Sequence, residues 1–74
     1  MIEIYGKMDC NYCVEAQNVC KNLKLDYKYY HLDDHYTIME LWAKVKFKTF
    51  PQIFVDGTCI GGFEELMEYT NGIE

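Results

Sequence analysis

The chain has 74 residues, of which 50% are hydrophobic, and its formal net charge is −5. This length allows one small domain, predicted to span residues 1–74, and the apolar content predicts a packed globule rather than a disordered segment. The negative charge argues against binding to nucleic acid or to an anionic membrane. We find neither an apolar run long enough to span a bilayer nor a signal-peptide pattern, so we expect a soluble, cytoplasmic, monomeric protein.

The first predicted strand and helix lie in the N-terminal third of the chain. Ile2 and Ile4 alternate with other residue types, which is typical of a strand. A loop follows, and Asp9 is a plausible cap for a helix that begins at Cys10. One face of this helix is predicted to carry small and apolar side chains, namely Cys13, Ala16, Cys20 and Leu23.

The middle of the chain predicts a second strand and a second helix. Residues 26–32 are rich in tyrosine and strand-forming, and residues 33–36 form a polar turn. Thr37 and Glu40 have the spacing of a helix-capping box. The apolar residues that follow have helical spacing and extend the predicted helix to residue 45: Ile38, Leu41, Trp42 and Val45.

The last third of the chain predicts a hairpin and a third helix. Ile53-Phe54-Val55 is a continuous apolar run typical of a buried strand, and Asp56-Gly57 is a hairpin turn leading to a strand around Cys59. Gly61-Gly62 ends that strand, and a helix follows that ends near Gly72. The fold class is therefore α/β, with the order β-α-β-α-β-β-α. The first two strands are predicted to be parallel and the hairpin antiparallel.

Several side chains are given structural roles only. Three lysines form a basic cluster able to attract an anionic ligand, although a solvated helix end is the simpler interpretation: Lys44, Lys46 and Lys48. We expect three large side chains to pack in the core: Met39, Trp42 and Met67. Cys20 and Cys59 are interpreted as small apolar residues without chemistry of their own.

The strongest chemical signal is Cys10-Asn11-Tyr12-Cys13 at a strand-to-helix junction. The first cysteine would lie beside the free N–H groups and the positive end of the helix, where the thiolate is favoured. The second cysteine lies about one turn further on, close enough to resolve a mixed disulfide by forming an intramolecular one. A redox-active pair is therefore predicted.

A zinc site is the main alternative for the cysteines. Zinc sites usually have two close ligand pairs, whereas Cys20 and Cys59 stand alone. His31 and His35 are four residues apart, but they fall at a strand end and in a turn rather than on one helix. We therefore predict no metal site.

Three blocks of sequence together resemble the glutaredoxins of the thioredoxin-like superfamily, especially the small bacterial and phage-type dithiol members. They are Lys7-x-x-Cys10-Asn11-Tyr12-Cys13, the segment 49–57 (Thr-Phe-Pro-Gln-Ile-Phe-Val-Asp-Gly), and the segment 60–66 (Ile-Gly-Gly-Phe-Glu-Glu-Leu). The resemblance covers essentially the whole chain. It implies a thioredoxin-like fold with a four-stranded mixed sheet flanked by three helices.

The resemblance also implies roles for the residues around the cysteine pair. Cys10 would be the nucleophile and Cys13 the resolving thiol. Lys7 would favour the thiolate or hold a carboxylate of glutathione, and Tyr12 would flank the site. Asn11 stands where the most familiar family motif has proline, and the second helix lacks the arginine or glutamine that often helps to hold glutathione.

The two later blocks are implied to bind glutathione. Thr49 occupies a matching position, and the bond before Pro51 is cis in the family, which would present the Phe50 backbone to glutathione as if to an added strand. Gly62 would let a backbone approach closely. Phe63 and Glu64 would contact the γ-glutamyl end, with Glu64 at the amino group.

The expected function is that of a glutathione-dependent thiol–disulfide oxidoreductase acting through the Cys10/Cys13 dithiol. Its partners would be glutathione and disulfide-bearing proteins such as ribonucleotide reductase, with no permanently bound cofactor. One alternative is an enzyme of the same fold that draws electrons from thioredoxin reductase. The other is an iron–sulfur carrier in which two chains and two glutathiones hold a cluster through Cys10.

Overall fold

The computed structural model describes residues 1–72, and this part of the chain contains four strands and three helices. In chain order these are β1 (Ile2–Gly6), α1 (Asn11–Asn22), β2 (Tyr27–His31), α2 (Ile38–Trp42), β3 (Gln52–Val55), β4 (Thr58–Gly61) and α3 (Phe63–Asn71). The element order predicted from the sequence is confirmed. None of the helices within residues 1–72 is long and apolar enough to cross a membrane.

The four strands form one mixed sheet in the order β2-β1-β3-β4. β1 pairs with β2 in parallel, which requires the crossover through α1, and β1 pairs with β3 in antiparallel orientation. β3 and β4 form the predicted antiparallel hairpin. Ile4 therefore lies at the centre of the sheet, between Tyr29 of β2 and Ile53 of β3.

One face of the sheet packs against α1 and α3. Because side chains alternate along a strand, Ile2 and Ile4 point to this same face. Each large aliphatic side chain buried here contributes about 1.5–3 kcal/mol to stability. The core residues of this face are at most 5% exposed: Ile2, Ile4, Ala16, Cys20, Ile53 and Leu66.

The other face of the sheet carries an aromatic core below the segment that contains α2. The Tyr5 ring stacks on Tyr30, with 4.9 Å between centroids, and meets Tyr36 edge-on at 5.0 Å. The Tyr36 hydroxyl donates a hydrogen bond of 2.7 Å to the carbonyl of Gly6, at the end of β1. This bond fixes the strand just before the loop that leads to Cys10. The buried members of this core are Tyr36, Leu41 and Phe54.

Two helix boundaries differ from the prediction. Asp9 is not the cap of α1; it has a φ of 56°, and Cys10 is the capping residue. The capping box of α2 is confirmed, and the hydrogen bond that Glu40 accepts from the backbone N–H of Thr37 lowers the pKa of that carboxyl. However, α2 ends at Trp42 rather than at Val45, so the lysine cluster lies beyond the helix.

The expected core packing of two methionines is wrong. Met39 is 75% exposed and Met67 is 41% exposed, whereas Trp42 is half-buried with its ring centroid 5.3 Å from that of Phe50. α2 has only five residues and buries only Leu41. Met39 lies two positions earlier, on the far side of the helix, because successive residues rotate by about 100°.

Replacing Tyr36 with phenylalanine should lower the free energy of unfolding by about 0.5–1.5 kcal/mol, the net value of one hydrogen bond. The loss stays at this level because the carbonyl of Gly6 also accepts from the N–H of Leu32. Urea unfolding measures the change. Tyr30→Phe is the control, since that hydroxyl bonds to the Glu3 carboxylate at a half-buried position where water can replace it, so its loss should matter less. Equal losses in the two variants would contradict this role of Tyr36.

Candidate active site

The cysteine pair lies at the N-terminus of α1, where Cys10 and Cys13 form a disulfide with 5.2 Å between their Cα atoms. Cys10 has an extended backbone, with φ −121° and ψ 101°, and its Sγ accepts a hydrogen bond of 3.2 Å from the N–H of Cys13. Cys13 is fully buried, whereas Cys10 is half-buried. An incoming sulfur can therefore reach Cys10 and not Cys13.

The position of Cys10 also determines its electrostatics once the disulfide is reduced. A sulfur at a helix N-terminus faces unpaired backbone N–H groups and the positive end of the helix, and both favour the thiolate. In most helices a serine, threonine, aspartate or asparagine oxygen occupies this capping position. Here the more exposed of the two cysteines is itself the cap, so the hydrogen bond that begins the helix would also stabilise a thiolate at Cys10.

A groove of about 560 Å³ lies beside the N-terminus of α1 and brings together seven of the eight binding residues predicted from the sequence. The eighth, Lys7, does not line the groove, but its Nζ lies 5.3 Å from the centroid of the Phe50 ring, within cation–π range. The residues lining the groove are Tyr12, Thr49, Phe50, Pro51, Gly62, Phe63, Glu64 and Glu65.

Three separate segments of the chain form the walls of this groove. The rings of Tyr12 and Phe63 lie 5.3 Å apart and join the start of α1 to the start of α3. The Phe50–Pro51 peptide bond is cis, as the family resemblance implied, and Pro51 is buried. A Cβ at Gly62 would lie 3.4 Å from the carbonyl oxygen of Pro51, so these two backbones are close neighbours.

Glu65 is a groove residue that the sequence analysis missed. Its Oε1 accepts a hydrogen bond of 2.7 Å from the N–H of Gly62, which caps α3. Gly61 has a φ of 125°, and a Cβ there would come within 2.6 Å of the Glu65 Cγ, so only glycine fits this turn. The signal was present, because Gly62 and Glu65 have the same spacing as the recognised capping pair Thr37 and Glu40.

Gln52 is a second residue that the sequence analysis left without a role. It is 3% exposed, and its Nε2 donates to the carbonyl oxygens of Phe47 and Thr49 at 2.7 and 2.8 Å and lies 3.1 Å from the Thr49 Oγ1. Its Oε1 accepts from the Cys59 thiol at 3.6 Å. One buried amide therefore holds the segment that forms one wall of the groove. The signal was a polar residue at the start of an otherwise apolar strand.

The other cysteines and the histidines are not brought to the Cys10/Cys13 pair. Cys20 is buried in the core, where burial raises the pKa of its thiol. His31 and His35 interact with each other, since the N–H of His31 donates to the His35 Nδ1 at 2.9 Å. Within residues 1–72, no three cysteine, histidine, aspartate or glutamate side chains come together as metal ligands.

The fold is a four-stranded mixed sheet whose first helix begins at a reactive cysteine and buries a second cysteine one turn later. Together these features define a thiol–disulfide oxidoreductase of the thioredoxin-like fold. Comparison with known proteins agrees with this class. The sequence model of the glutaredoxin family matches residues 2–60. A glutaredoxin of Haemophilus influenzae is 39% identical over 83 aligned positions, which cover 97% of this chain and 95% of that protein. This chain belongs to the glutaredoxin family.

Solved glutaredoxin structures have the same fold. The crystal structure of glutaredoxin 1 from Francisella tularensis complexed with cacodylate has a TM-score of 0.79 and 31% identity, over 97% of this chain and 93% of that chain. A buckwheat glutaredoxin–glutathione complex has a TM-score of 0.83 over 96% of this chain and 68% of that chain. The buckwheat protein is 24% identical, so it shows the likeness of fold alone.

Replacing Gln52 with the similarly shaped methionine should loosen the segment 47–50. The carbonyls of Phe47 and Thr49 would lose a donor, which should lower the free energy of unfolding by about 1–3 kcal/mol and speed hydrogen exchange of the amides in this segment. NMR-detected exchange and urea unfolding measure the two effects. Thr70→Val is the matched control, because it removes a buried hydroxyl that bonds to Met67 within α3. Unchanged exchange in residues 47–50 of Gln52→Met would show that the amide does not hold this segment.

Proposed function

We propose that this glutaredoxin uses glutathione as its electron donor and reduces both glutathione mixed disulfides and protein disulfides. The observation that carries the proposal is the groove beside the N-terminus of α1, in which seven separately predicted glutathione-contacting residues meet. They come from three separate segments of the chain: residue 12, residues 49–51 and residues 62–64. A buckwheat glutaredoxin of the same fold has been solved with glutathione, which supports the same ligand here.

The proposed reaction with a mixed disulfide is two successive thiol–disulfide exchanges at Cys10. The Cys10 thiolate attacks the glutathione sulfur, an S–S bond forms between Cys10 and glutathione, and the other thiol leaves as a thiolate that takes up a proton. A second glutathione thiolate then attacks the bound glutathione sulfur. This step releases glutathione disulfide and regenerates the Cys10 thiolate.

Protein disulfides require the second cysteine. Cys10 attacks one sulfur of the protein disulfide, and Cys13 then attacks the Sγ of Cys10 and releases the protein as a dithiol. The two electrons lost by the cysteine pair reduce the protein, and the pair is left as the Cys10–Cys13 disulfide. Two glutathione molecules restore the dithiol and leave as glutathione disulfide. Ribonucleotide reductase belongs to the substrates we propose for this route.

Four of the groove residues, and Lys7 beside the groove, have parts in this proposal that fit their positions. The Thr49 and Phe50 backbone would pair with extended glutathione as with an added strand. Gly62 leaves room for the tripeptide backbone. Glu64, exposed in the first turn of α3, would accept from the γ-glutamyl ammonium group. Lys7, over the Phe50 ring, would attract a carboxylate.

The electron source is tested by turnover of the cysteine–glutathione mixed disulfide in two parallel reactions. One contains glutathione and glutathione reductase, and the other contains thioredoxin reductase. We expect turnover only with glutathione. Cys10→Ser should abolish all activity because it removes the nucleophile, whereas Cys13→Ser should keep mixed-disulfide turnover and lose reduction of protein disulfides.

The remaining outcomes of this experiment each contradict one part of the proposal. Turnover only with thioredoxin reductase would keep the fold and the dithiol chemistry and reject glutathione as the donor. Activity in Cys10→Ser would reject the nucleophile assignment. Equal loss of mixed-disulfide turnover and protein-disulfide reduction in Cys13→Ser would reject the proposal that only protein disulfides require Cys13.

The glutathione contact of Glu64 is tested by Glu64→Gln. A charge-assisted hydrogen bond contributes about 1.5–3 kcal/mol when desolvated and less at an exposed site, so we expect the KM for the mixed disulfide to rise about three- to tenfold. The kcat should change less. Glu68→Gln, at another exposed position of α3, makes the same change of charge outside the groove and should leave KM unaltered. A similar KM increase in both variants would count against a contact at Glu64.

A further inference from the structure

A second groove of about 660 Å³ adjoins the proposed glutathione groove. The two grooves share Thr49, Gly62 and Glu65 and are therefore continuous with each other. We call the second one the lysine groove. Its own lining comes from the segment after α2 and from β4: Lys44, Val45, Lys46, Phe47, Cys59, Ile60 and Gly61, with Gln52 at its base.

The charge of this surface is opposite to that of the rest of the molecule. The chain has seven basic and twelve acidic residues, yet three of the basic ones lie within the five residues 44–48. All three lysines are exposed, and two of them, Lys44 and Lys46, line the groove. Glu65 is the acidic residue that lines the groove, and its carboxylate already accepts from the N–H of Gly62. The lysine groove is therefore a local basic surface on an acidic protein.

The same surface combines this charge with apolar side chains. Phe47 is 74% exposed, although a phenylalanine is normally removed from water. Val45 and Ile60 line the groove beside it and are half-buried. Exposed aromatic area next to lysines fits a ligand that offers both carboxylates and apolar groups.

The lysine groove is also preformed, because its backbone is fixed by contacts within the protein. Gln52 fixes the carbonyl of Phe47, and Val45 packs against the aromatic core of the sheet. A preformed surface binds with a smaller loss of conformational freedom than a mobile loop would.

We propose that the lysine groove binds an acidic, apolar segment next to the disulfide of protein substrates. This inference rests on the proposed action on protein disulfides and adds the class of protein that is preferred. A substrate whose disulfide lies at Cys10 would run along the first groove and place its neighbouring residues in the second. The lysines attract its carboxylates, and Phe47 packs against its apolar side chain.

The test uses two synthetic peptides, each closed by one disulfide and otherwise identical. One has aspartate, glutamate and phenylalanine beside the disulfide, and the other has asparagine and glutamine in place of the acids. Pre-reduced protein, with the reductant removed, is mixed with each peptide and the second-order rate of exchange is measured. No glutathione is present, so the result does not depend on whether glutathione is the physiological donor.

We expect the wild-type protein to reduce the acidic peptide at least about fivefold faster at low salt, and this preference to fall as salt screens the charges. The double variant Lys44→Glu/Lys46→Glu should lose the preference. Phe47→Ala should slow reaction with both peptides, since both keep the phenylalanine. The control Lys21→Glu/Lys28→Glu changes the net charge equally, on the last turn of α1 and on β2 at the opposite edge of the sheet, and should retain the preference.

Three results would overturn the inference. The wild-type protein could show no preference between the peptides. The control could lose the preference as fully as Lys44→Glu/Lys46→Glu, which would assign the effect to net charge. Finally, the variant Lys44→Glu/Lys46→Glu could raise the KM for the cysteine–glutathione mixed disulfide as strongly as it slows the acidic peptide, which would assign the lysines to the tripeptide itself.

Discussion

The hydrogen bond from the N–H of Cys13 to the Sγ of Cys10 is the interaction on which the chemistry of this protein depends. This bond begins α1, and its donor and acceptor belong to the two cysteines that form the disulfide. Cys13, Ala16 and Cys20 lie buried on the face of α1 that packs against the sheet. Because of this packing, Cys13 is buried and Cys10 stays partly exposed to solvent. The hydrophobic core thus assigns different roles to two chemically identical side chains.

A single buried amide organises the opposite side of the site. Gln52 lies at the start of β3, and its four polar contacts connect the strand to Phe47, Thr49 and Cys59. Thr49 belongs to the proposed glutathione groove and Phe47 to the lysine groove, so the same side chain supports both. Buried polar groups are retained in cores when they are fully paired, and no buried side-chain nitrogen or oxygen within residues 1–72 lacks a partner. The two grooves are consequently parts of one preorganised surface.

The features that the sequence predicts well are those determined by neighbouring residues. The strand alternation at Ile2 and Ile4, the capping box at Thr37 and the turn at Asp56 all depend on local spacing, and all are present. The end of α2 could not be predicted in this way, because the chain leaves the helix toward carbonyl contacts made by Gln52, which lies ten residues beyond Trp42. The groove residues were found only through three blocks matching one family. Periodicity carries no information on which loops meet in space.

The chemical nature of the Gln52 side chain has one more consequence. An amide neither gains nor loses a proton in the range where proteins are folded, unlike the carboxylates and imidazoles that often make such contacts. The hydrogen bonds from Gln52 to the carbonyls of Phe47 and Thr49 are therefore independent of pH. Acidification therefore leaves in place the contacts that hold the segment before β3. The wall that this segment gives to both grooves does not depend on the charge of the side chain that holds it.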